Sequence, residues 1–234
     1  MQAQDGTIRF SPTDLNAFLE CEHLTQLSLA VARGELEKPT EENPQADLVK
    51  RKGDEHEARY LADLIADGRD VVRIEHAGDF AASARATEQA VRSGTDVIYQ
   101  ACFVDGAWRG FADFVERQAD GSYEVVDTKL ARHSKPSYVL QLCFYSEQLA
   151  RLQGGRLPAR MHVVLGTHAR ESLQILRQVG MKQDRQLRLK NGRRNKRSTV
   201  VTKESSRATC TVLSMTVMRF ARTSNLAVCV RFHR

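Results

Sequence analysis

The chain is poor in the features that would place it in several common classes. Its five cysteines are odd in number and show no paired spacing, which argues against a disulfide framework. No apolar run approaches the roughly 18 residues of a membrane span. The first residues lack a signal-peptide core, because Asp5, Arg9 and Asp14 interrupt them. A cytoplasmic protein is the expectation. No GxxxxGK[ST] phosphate loop occurs, so nothing suggests that the chain hydrolyses ATP, and no Ser/His/Asp set stands out.

What is present is a soluble composition with an uneven charge. Charged residues make up 27% and hydrophobic ones 41% of the 234 residues. The net charge of +6 hides a split. From Leu173 onward stand 15 Lys or Arg against 2 Asp or Glu, which leaves 20 against 27 in the first 172 residues. The basic character therefore belongs to the last part of the chain and is no nucleic-acid footprint of the rest. The composition predicts a domain over 1–172 and a basic, poorly ordered tail over 173–234. A shifted reading frame, a truncated copy or a disordered basic extension each accounts for that shift.

Ser11-Pro12-Thr13-Asp14 is a helix start, with Ser as N-cap, Pro in the first turn and an acid near the positive end of the dipole. Apolar residues then recur at helical spacing up to Gly34. Cys21 lies within that run and reads from the residues alone as a small buried hydrophobe. A second helix is predicted over 47–66, with Val49, Gly53, His56, Tyr60 and Leu64 on one face. A short strand over 70–75, an alanine-rich helix over 79–93 and a strand over 97–104 follow. Asp105-Gly106 then marks a hairpin.

The densest chemistry lies between Trp108 and Tyr145. Gly110-Phe-Ala-Asp113 falls on one strand, and Val125-Val-Asp127-Thr-Lys129 on the next, across a turn at Asp120-Gly121. Alternation puts Asp127 and Lys129 on one face, and a short hairpin brings Asp113 beside Asp127. Two carboxylates are costly to bury without a partner, and carboxylate oxygens suit magnesium or manganese. The helix over 136–152 sets Gln141 and Tyr145 one turn apart on one face. A last strand is predicted over 161–165. Glu116 reads as surface, Asp63 and Asp67 as helix solubility, and Cys102 and Cys143 as core.

In this order, Gly110-x-x-Asp113, Asp127-x-Lys129 and Gln141-x-x-x-Tyr145 resemble the RecB-like putative nucleases of the PD-(D/E)XK superfamily. The resemblance covers about residues 8–170. It implies an α/β fold, a restriction-endonuclease-like core with a central mixed sheet flanked by helices. It also implies metal-dependent hydrolysis of DNA, in repair or recombination, with a helicase as partner or fused neighbour. Asp113, Asp127, the carbonyl of Thr128 and the ring of His56, in a Gly53-x-x-His56-Glu57 context, would hold Mg or Mn. Lys129, Gln141 and Tyr145 would complete the catalytic set. Cys21 is similar to the early cysteine of the branch that carries an iron–sulfur cluster. The remaining late cysteines, Cys210 and Cys229, lack the CxxC spacing of that cluster.

Two other readings of the same residues stand beside this one. The chain could be an inactive or truncated remnant that binds DNA through its basic tail. It could also be a structural α/β domain whose acidic pair caps strands.

Overall fold

The computed structural model describes residues 1–177 and 228–232, except 5, 40–42 and 77. Met1–Gln174 makes up the body of one compact unit. A two-stranded ribbon, β1 (Gln2–Gln4) and β2 (Thr7–Arg9), opens the chain. The helices α1 (Pro12–Glu20), α2 (Glu22–Ala32) and α3 (Pro44–Ala66) follow. Then come β3 (Val71–Arg73), α4 (Phe80–Ser93), β4 (Val97–Asp105), β5 (Trp108–Arg117) and β6 (Tyr123–Lys129). The series continues with α5 (Pro136–Leu152), β7 (Arg160–Leu165) and β8 (Arg170–Arg177), and β9 (Val228–Phe232) is the last described element.

The protein is α/β, with a mixed sheet ordered β3-β4-β5-β6-β7-β8 and flanked by helices. The β3–β4 and β6–β7 pairs are parallel, and α4 and α5 supply their crossovers. Between them β4, β5 and β6 run antiparallel through two tight hairpins. Glycines in the left-handed conformation, Gly106 (φ 57°) and Gly121 (φ 78°), stand in those turns.

Local chemistry accounts for the helices. Asn43 caps α3 by accepting from Ala46 N, and Asp79 caps α4 by accepting from Ala82 N. Gly94 closes α4 at φ 78°. The predicted helix through Cys21 is broken into two. Cys21 is extended (φ −161°, ψ 109°), and its Sγ accepts from Leu24 N at 3.4 Å as the cap of α2. The residue is exposed, so the expectation of a buried hydrophobe there is overturned. Apolar spacing alone does not show such a break, and Leu19, Leu24 and Leu27 of that periodic run are exposed.

Leu64 of α3 packs with Val97, Phe114, Val126 and Val164 on one face of the sheet, with Tyr60 and Tyr99 against the cluster. Complete burial of a side chain such as Phe114 stabilises by about 1.5–3 kcal/mol. Val125, Asp127 and Lys129 point to the other face, where α5 lies over β6 and β7. Thr87 Oγ1 accepts from Cys102 N at 2.8 Å and ties α4 to β4.

Two expectations about burial change. Glu116 is 3% exposed rather than at the surface; Tyr60 Oη donates to it at 2.7 Å, and Arg170 pairs with it at 3.1 Å. The sheet also continues past the boundary expected at 172. Strand β8 pairs with β7 through Gln174, and Leu173 and Ile175 are buried. Residues 178–227, with Cys210 and most of the expected basic tail, lie outside the described residues. Of the remaining cysteines, Cys102 is buried and Cys143 half-buried. Among the described residues no helix is long and apolar enough to cross a membrane.

Candidate metal and phosphoryl-transfer site

The β5–β6 ladder pairs Val115 with Val125 and Phe114 with Val126, so the next step of the same register sets Asp113 opposite Asp127. There the backbone pairing gives way to a side chain. Asp113 Oδ2 accepts from Thr128 N at 2.8 Å and from Thr128 Oγ1 at 3.0 Å. Thr128 thereby fixes one carboxylate of the pair, a task its type and position suit because it offers two donors on one residue.

Asp127 is 1% exposed. Lys129 Nζ approaches its Oδ2 to 2.6 Å as an ion pair, off the axis that a hydrogen bond would need. Among the described residues Oδ1 has no hydrogen-bond partner at all. Burial first, and then the adjacent Asp113 charge, push the Asp127 carboxyl up to about 8, against the opposing pull of Lys129. Asp127 and Asp113 in turn hold the Lys129 ammonium above its ordinary value, in spite of its burial. Its charge also lies 5.7 Å from the Tyr138 ring centroid. A native fold rarely leaves a buried carboxylate oxygen unpaired without a use for it. The oxygen-only donor set at Asp113 and Asp127 fits a hard divalent cation such as magnesium, which is often held by one or two carboxylates and keeps several waters.

Helix α5 covers the pair with the expected residues. Tyr145 is buried, and burial followed by the two aspartate charges keeps its hydroxyl strongly protonated. Gln141, one turn earlier on α5, opposes that rise in part. The glycine of the first motif explains the fit: a Cβ at Gly110 would lie 2.7 Å from Tyr145 Oη and 3.1 Å from Pro12 Cδ. Gly110 thus serves the close approach of helix and strand, and Tyr145 fills the space.

The expected residue of α3 is placed differently. His56 is buried, and its Nε2 lies 3.1 Å from Val164 O. Among the described residues no three His, Cys, Asp or Glu side chains form a ready metal-binding group, so His56 does not close one with Asp113 and Asp127. Its neighbour Glu57 is the side chain that senses Asp113. Burial and then the Asp113 charge raise its carboxyl above the usual range. Gln100 Nε2 donates to Glu57 Oε1. Sequence reading passed over Glu57 and Gln100. The only available signal was the Glu57 carboxylate directly following His56, and periodicity assigns it to a different stripe of the helix. Cys21, the residue similar to a cluster ligand, caps α2 and stands outside this site.

Comparison of the chain with protein-family models, with curated proteins and with solved structures returned no match.

Proposed function

We propose that the protein is a divalent-cation-dependent deoxyribonuclease of the RecB-like type, built on a restriction-endonuclease-like core. One observation carries the reading. A carboxylate that is 1% exposed, with an unpartnered oxygen, stands opposite a second carboxylate and beside a lysine, in the order Asp113, Asp127, Lys129. Magnesium or manganese at Asp113 and Asp127, completed by water, would supply Lewis-acid stabilisation of the scissile phosphate and a more acidic water.

The chain's own groups have separate tasks. Water attacks phosphorus, the bond to the leaving sugar oxygen breaks, and that oxygen takes up a proton. Lys129 stands next to Asp127, where its ammonium orients the attacking water and offsets the charge that grows on the phosphoryl oxygens. Thr128 holds Asp113 in place through two hydrogen bonds. Tyr145, kept protonated by burial and the aspartate charges, acts as a donor and, with Gln141 one turn earlier, braces the strand of nucleic acid rather than serving as a base. An intracellular role in DNA repair or recombination, with a helicase partner, follows from the same resemblance.

The test is cleavage of single- and double-stranded DNA by the purified chain with magnesium or manganese. Activity abolished by chelator and by Asp127→Ala supports the reading. Undiminished cleavage by Asp127→Ala, or no cleavage of any substrate, sinks it. DNA binding that persists without the metal and without cleavage would identify a binding remnant instead.

A further inference from the structure

Glu124, His162 and Ser172 stand on three neighbouring strands, β6, β7 and β8, and take no part in the cation site. His162 is opposite Val126 on one side and Ser172 on the other, and Glu124 lies two residues before Val126. Alternation puts the set on the face of Val126 and Val164, whereas Asp127 points to the other face. Glu124 and His162 are each 5% exposed, while Ser172 is open to solvent. His162 Nε2 lies 2.7 Å from Glu124 Oε2, and His162 Nδ1 lies 2.8 Å from Ser172 Oγ. The other oxygen of the acid, Oε1, accepts from Arg160 N at 2.9 Å.

A carboxylate can only accept hydrogen bonds, so in the neutral ring the proton sits on Nε2 and points to Glu124. Nδ1 then carries a lone pair, and the Ser172 hydroxyl donates to it. A serine that donates to an imidazole, itself oriented by a buried acid, is an activated nucleophile. Such a set is recognised by geometry and roles rather than by its order in the chain. The acid adds negative charge behind the ring, so an uncharged carbonyl suits the serine better than an anionic phosphate.

We propose that Ser172 is a nucleophile that takes an acyl group from a carboxylic ester, with His162 as its general base and Glu124 as the residue that positions the ring. Oγ bonds to the carbonyl carbon as its proton passes to Nδ1. The bond from that carbon to the leaving alcohol breaks, and the alcohol takes the proton from Nδ1. Water then releases the acid by the same route. The experiment is release of p-nitrophenolate from p-nitrophenyl acetate by the full chain in chelator, which sets the cation site aside. Ser172→Ala, at an exposed position, should lose most of the release. Glu124→Gln tests the positioning role. Its amide oxygen keeps the bond from Arg160 N, so its NH2 faces Nε2, which must then accept. The ring proton moves to Nδ1, which no longer takes up the serine proton. Release that depends on Ser172 should then fall roughly hundredfold or more, read on a chain whose circular dichroism matches the parent. The folded parent should exceed the same chain in urea by a similar factor. Equal release by Ser172→Ala, or by the folded and urea-unfolded parent, overturns the inference and leaves the three residues as a clip between strands. Undiminished release by Glu124→Gln overturns the roles of His162 and Glu124. DNA cleavage enters none of these outcomes, so the nuclease reading stands or falls separately.

Discussion

Gly110 and Tyr145 compete for one small volume: a methyl group on residue 110 would sit 2.7 Å from the Tyr145 hydroxyl oxygen. The two residues are 35 positions apart in the chain, on β5 and α5, and belong to different motifs. Their contact joins the helix above the aspartate pair to the strand that carries Asp113.

Gly110→Ala should therefore destabilise the fold by about 1–3 kcal/mol, the usual cost of overpacking. Tyr145→Phe removes the oxygen that clashes. In a double-mutant cycle by denaturant unfolding, Tyr145→Phe should cost less in the Gly110→Ala background than in the parent. Additive effects would show that the two side chains do not share this space.

The aspartate pair predicts an unusual pH dependence for the metal-free protein. The folded-state carboxyl of Asp127 is raised to about 8 by burial and Asp113, whereas the unfolded one titrates near 4. Between these values the folded state binds more protons than the unfolded state, so stability falls as pH rises. The slope is at most about 1.4 kcal/mol per pH unit and levels off above pH 8. Glu57, shifted in the same direction, adds to the fall. Urea unfolding in chelator from pH 5 to 8 measures it, and Asp127→Asn should flatten the curve. A parent curve that rises over this range would contradict the burial of an unpartnered carboxylate.

A cation at this site should reverse that trend. Manganese binds the ionised carboxylates, so its stabilisation should be larger at pH 8 than at pH 6. At a concentration one hundred times the dissociation constant the gain is about 2.7 kcal/mol. Melting curves with and without manganese at the two pH values test this. A gain that is equal at both would place binding elsewhere.

Glu116 offers a test that leaves the aspartate pair untouched. It is buried, accepts from Tyr60 and pairs with Arg170, which is itself partly exposed and so screened. Glu116→Gln keeps an acceptor for Tyr60 and loses the charge pair. A loss of about 1–2 kcal/mol is expected from chemical denaturation. No loss would return Glu116 to the surface role that its sequence position suggests.

Much of this protein follows from short-range chemistry. The helix over 136–152, the capped helix after Asp79 and the hairpins at Asp105-Gly106 and Asp120-Gly121 are set by periodicity, caps and turn glycines within a few residues. The opposition of Asp113 and Asp127 belongs with them, since a tight turn between alternating strands leaves one register. Burial of Glu116 and the continuation of the sheet through Leu173 are of another kind. They depend on Tyr60 and Arg170, which lie 56 and 54 positions away from Glu116, and on a neighbouring strand that composition does not show. The placement of His56 and Glu57 is also tertiary. Spacing says which residues share a stripe of α3, but the rotation of that helix over the sheet comes from packing Leu64 and Tyr60 against Phe114, Val126 and Val164. That packing turns one of two adjacent side chains toward Val164 and the other toward Gln100.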